Sequence, residues 1–70
     1  MVWFFERDDA FLRCETREGG MGTWELVIVE ADGRESVERF ADQRELVQRE
    51  RALLEQLRST GWCGPHGRLI

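Results

Sequence analysis

The sequence predicts an α+β domain: a four-stranded antiparallel meander followed by one C-terminal amphipathic helix packed on one face of the sheet. Three observations carry this expectation. Residues 10–17 alternate with a period of two, with Leu12, Cys14 and Thr16 on one side and Arg13, Glu15 and Arg17 on the other. Two short turn signals, Asp8-Asp9 and Ala31-Asp32-Gly33, separate β-prone runs at hairpin spacing. Residues 43–60 follow a capping residue and place leucines at helical spacing.

The elements follow in order. Residues 2–7, Val-Trp-Phe-Phe-Glu-Arg, form a β-prone first strand. With Asp8-Asp9 as the turn, Phe5 falls opposite Leu12 and Trp3 opposite Cys14. Directly opposed residues share a face of the sheet, here called face A. Gly19, Gly20 and Gly22 end the second strand in a loop. A phosphate cradle would need a helix start and a Lys-Ser/Thr pair, and neither follows. Residues 23–30 are the strongest strand signal. A three-residue loop with Gly33 in the left-handed position returns the chain along residues 34–40. That register sets Glu30 opposite Arg34, Val27 opposite Val37, Glu25 opposite Arg39 and Trp24 opposite Phe40. Opposite charges and apolar pairs then coincide, which supports it.

Asp42 and Glu45 form a capping-box pattern ahead of the helix. Leu46, Val47, Leu53, Leu54 and Leu57 make its apolar stripe, with Ala52 beside it, and Glu45 precedes Arg49 at i,i+4. Gly61 is the expected residue after the C-cap, with Trp62 contacting Leu57 in a Schellman motif. Residues 63–70, broken by Gly64, Pro65 and Gly67, read as a tail. The whole chain, 1–70, reads as one domain.

One helix covers one face. Face A carries Trp3, Phe5, Leu12, Cys14, Trp24, Leu26, Ile28 and Phe40 and is the one expected to be covered. The other, face B, keeps Val2, Phe4, Phe11, Val27, Val29 and Val37, bordered by Arg13, Glu15, Glu25, Glu35 and Arg39. An apolar patch ringed by polar groups marks an interaction surface. The expected partner is a second copy. Two-fold packing buries Phe4, Phe11, Val27, Val29 and Val37 while Arg13 and Arg39 meet Glu15 and Glu25 across the axis.

Charge narrows the function classes. Acids exceed bases by four, and all ten bases are arginine, so a nucleic acid backbone is not the expected partner. Arg13, Arg17 and Arg39 beside Phe4 and Phe11 suggest a stacking platform for bases, but Glu15, Glu25 and Glu35 are interleaved with them. Cys63-Gly64-Pro65-His66 has a metal-ligand spacing that Cys14 could extend. Two cysteines and one histidine are too few for a closed zinc site, and Cys14 points to face A as a small core residue. No catalytic residues, cofactor or metal are expected. Neither a secretory leader nor an apolar run of membrane length is legible, so the expected setting is the cytoplasm, with free thiols.

The opening Trp3-Phe4-Phe5-Glu6-Arg7, the strand end Glu15-Thr16-Arg17, Asp32-Gly33, Val37-Glu38-Arg39-Phe40 and the closing Gly61-Trp62 resemble a loose group of short bacterial proteins of unknown function. That resemblance implies the ββββα order and no activity. The same order is similar in topology to PUR-type single-stranded nucleic acid binders and to transcriptional coactivators of that shape. Topology alone does not carry function.

Overall fold

Turn chemistry sets the registers of the sheet. The computed structural model describes residues 1–69, with side chains described through His66. Strands β1 (Val2–Arg7) and β2 (Ala10–Glu18) are joined by Asp8 and Asp9, both at positive φ, 48° and 66°. A left-handed pair is the type I′ turn whose twist matches a tight hairpin, and aspartate tolerates it. Phe5 pairs with Leu12 and Trp3 with Cys14, as the turn predicts. After a short turn at Gly20–Gly22, β3 (Trp24–Val29) runs back along β2, with Cys14 opposite Ile28 and Thr16 opposite Leu26. The Ala31-Asp32-Gly33 loop places Gly33 at φ 90°, and the Asp32 carboxylate accepts from the Arg34 amide at 2.9 Å. Strand β4 (Glu35–Phe40) then pairs with β3 in the expected register: Trp24 with Phe40, Glu25 with Arg39, Val27 with Val37.

Helix α1 (Gln43–Ser59) starts where the Asp42 carboxylate accepts the Arg44 amide at 2.6 Å. It ends in the expected Schellman motif. Gly61 lies at φ 92°, and the Trp62 amide donates to the Leu57 carbonyl at 2.9 Å. Leu46, Leu53 and Leu57 bury against Phe5, Leu12, Cys14, Leu26 and Ile28, so face A is the covered face. Trp3, Trp24, Phe40, Leu54 and Trp62 close the rim of this core. Two details of the helix differ from expectation. Val47 lies 38% exposed and Ala52 is exposed, because the stripe drawn by the buried leucines turns past them. Arg49 pairs not with Glu45 but with Glu38 of β4, through two hydrogen bonds of 2.7 and 3.1 Å, since the packed helix brings a carboxylate of the sheet into reach.

The larger correction concerns the end of the chain. Residues Cys63–Leu69 form a fifth strand, β5, antiparallel to β1, and the sheet order is β4-β3-β2-β1-β5. The expected four-stranded ββββα order becomes ββββαβ. Ile70, also part of the expected tail, lies outside the described residues. The physical reason is the edge. In a four-stranded meander β1 presents unpaired N–H and C=O groups, and α1 crosses face A to return the chain beside them. Pro65 is compatible with β5 because an edge strand can lack a donor on its outer side. The pairing with β1 is irregular, with register shifts on either side of Phe4. Gly64 sits at φ 145°, where an added Cβ would lie 2.8 Å from the Phe4 carbonyl oxygen, so the close approach requires glycine.

Candidate interaction face

Among the described residues no helix lies over face B. Its residues fall into cross-strand rows given by the registers of the sheet. The first row runs Arg39-Glu25-Arg17, the second Val37-Val27-Glu15-Val2, and the third Glu35-Val29-Arg13-Phe4-His66. Continuing the β2–β3 register beyond Arg13 and Val29 carries Phe11 towards Ala31 at the hairpin end of the sheet.

The first row is electrostatically closed. The Glu25 carboxylate accepts from Arg17 Nε at 2.8 Å and from Arg39 Nε at 3.0 Å. These hydrogen bonds, that from Arg17 first, hold the Glu25 carboxyl below its ordinary range. Glu25 and Arg39 therefore pair inside one chain, a nearer partner than the one expected for each across a two-fold axis. Arg13, Glu15 and Glu35 take part in no ion pair among the described residues.

Exposure divides the apolar residues. Phe11 is 58% and Val37 44% exposed, while Val2, Phe4 and Val29 are half-buried. Val27, expected at the centre of contact, is only 2% exposed within the single chain. It lies between Glu15 and Val37 in its row and is flanked along β3 by Glu25 and Val29. Long neighbouring stems shield a central valine of a twisted sheet. Val27 is the floor of the face, and Val37 and Phe11 are its most exposed apolar side chains.

A groove of about 630 Å³ opens at the hairpin end of face B. Phe4, Phe11, Arg13 and Val29 form its base, and Glu30, Ala31 and Gly33 of the β3–β4 loop form a second wall that the sequence reading did not include. The signal was present in the register, which carries Phe11 up to that loop.

The potential metal ligands are separated by the sheet. Cys14 is fully buried on face A, its thiol pushed up to about 12 by burial and then by Glu50, so it is a neutral core group. Cys63 and His66 pair in register with Glu6 and Phe4, the face B residues of β1, and are exposed. Among the described residues no three His, Cys, Asp or Glu side chains gather as a metal site, and no helix is long and apolar enough to cross a membrane. Comparison with protein-family models, curated proteins and solved structures finds no match to this chain, so its reading rests on its own residues.

Proposed function

We propose that this chain is a small non-enzymatic protein–protein interaction module of the cytoplasm that pairs with a second copy of itself through face B. The observation that carries the reading is a mismatch on that face. Apolar side chains remain in solvent beside Arg13, Glu15 and Glu35, which have no ion-pair partner among the described residues. A two-fold contact is self-complementary, so Arg13 of each copy can meet Glu15 or Glu35 of the other. The closed Arg17–Glu25–Arg39 row borders this contact. Five strands of about six residues give a face about 20 Å on a side. If each copy hides about 600 Å², the total reaches the lower end of stable interfaces. The two unpaired cysteines suit a reducing compartment.

Charge reversal tests the pairing. Arg13→Glu weakens self-association, and mixing that chain with one carrying Glu15→Arg and Glu35→Arg restores a mixed dimer. Undiminished association of Arg13→Glu alone contradicts the proposed contact. Micromolar binding of single-stranded oligonucleotides by face B at about 0.15 M salt would instead favour nucleic acid as the partner.

A further inference from the structure

The helix side of the sheet holds a second feature, independent of the pairing face. Between α1 and β1 a cleft of about 780 Å³ stays open. Trp3 and Phe5 of β1, Leu53 and Leu54 of α1 and Pro65 of β5 form its apolar walls, and Glu50 of α1 lines it with them. Glu50 is out of place by pattern. It follows Leu46 by four residues and precedes Leu53 and Leu54 by three and four, so it stands on the apolar stripe of the helix. A position that breaks the local rule inside an otherwise consistent helix is a place to look for function.

Glu50 is half-buried, and its carboxylate makes no hydrogen bond or ion pair among the described residues. Among the described residues the charged and titratable groups around it are few. The Met1 ammonium attracts it but donates to the Thr16 carbonyl at 3.1 Å, Arg51 is an exposed side chain lining the same cleft, and the Cys14 thiol is neutral. Desolvation raises the Glu50 pKa, which the Met1 ammonium partly opposes. A carboxylate so placed gains most from a ligand that brings its own positive charge and fills the apolar space with its body.

We propose that this cleft binds a small organic amine, with Glu50 pairing the ammonium head and Trp3, Phe5, Leu53 and Leu54 enclosing an aromatic or aliphatic body. The cleft volume lies within the range of about 300–1,000 Å³ typical of small-molecule sites. The Trp3 ring adds a face that attracts a cation. Glu50 opposes an anionic ligand with the same body, although the Met1 ammonium and Arg51 line the same cleft.

The test is an NMR titration of the full chain with phenethylamine, and with phenylpropionate as the ring of opposite charge. The amine produces saturable amide shifts at Trp3, Leu53 and Leu54 and leaves Phe11 and Val37 unmoved, which separates this site from face B. The Glu50 side-chain carboxyl titrates at lower pH when the amine is bound. Glu50→Gln weakens amine binding by about tenfold or more, the loss expected for one charge-assisted contact. Glu55→Gln, on the exposed side of the same helix, leaves it unchanged. Three results each overturn the proposal: no saturable shifts up to tens of millimolar amine, equal binding of phenylpropionate, or a Glu50 titration that bound amine does not move.

Discussion

Replacing Gly64 by alanine probes the fifth strand directly. At φ 145° an added Cβ meets the Phe4 carbonyl oxygen at 2.8 Å, Phe5 Cδ2 at 2.9 Å and Phe5 Cα at 3.3 Å. Two of these atoms belong to the β1 backbone, so no rotamer change relieves the crowding. With β5 shifted slightly but still paired, the variant carries at least the strain of a left-handed non-glycine residue, about 1–3 kcal/mol. Otherwise β5 lifts off β1, giving up its pairing and uncovering that edge. Whichever costs less sets the observed loss, and about 2 kcal/mol is expected. In a domain of this size each 1 kcal/mol moves the melting temperature by roughly 4–8 °C, so Tm should fall by roughly 8–16 °C. The assay is a thermal melt by circular dichroism joined to amide hydrogen exchange. The β1 amides that face β5 should lose protection ahead of those in β3. An unchanged melt with unchanged β1 protection would refute the seating of β5 on β1.

Gly61→Ala separates conformation from crowding, because its Cβ would meet only Arg7 Cδ, at an ordinary 3.5 Å. Its cost should be the left-handed backbone alone, about 1 kcal/mol in a urea melt. Glu25 has a folded pKa held below its unfolded value by Arg17 and then Arg39, so its stabilisation is complete above the unfolded pKa and is lost as pH falls through the folded one. Acid unfolding curves should show the advantage of the wild type over Glu25→Gln shrinking below about pH 4. Glu50 runs the other way. Burial raises its folded pKa, so its ionisation weakens the fold as pH rises through that value. Glu50→Leu should raise stability by about 1 kcal/mol at neutral pH, with the gain narrowing in acid when urea midpoints are compared.

The parts of the fold that local chemistry determines were legible in the residues. Asp8-Asp9 and Ala31-Asp32-Gly33 are turns of fixed length, and a fixed length admits one register, so Trp3 pairs with Cys14 and Trp24 with Phe40 as read. Asp42 and Gly61 likewise bound the helix through cap bonds that lie within a few residues. What escaped depends on distant neighbours. Gly64, Pro65 and Gly67 carry the composition of a loop, and they become a strand only because β1 offers an edge after the helix has crossed the sheet. Val27 alternates like a surface residue, yet its neighbours shield it. Glu50 is hidden in the pattern because the leucines define the stripe, although its spacing from Leu46 and Leu54 places an acid on it. Face B was legible as apolar residues left over once one helix was assigned to face A. The division of its charges was not, because the geometry that lets Glu25 hold both Arg17 and Arg39 spans three strands.

Sedimentation velocity of the wild-type chain at about 100 μM decides whether face B pairs two copies, since even a micromolar dimer is mostly assembled at that concentration. The expected species has twice the 8.2 kDa chain mass. Val37→Glu, at a face B position 44% exposed in the single chain, should return the protein to the monomer without unfolding it. A wild-type chain that sediments as one 8.2 kDa species contradicts pairing through face B.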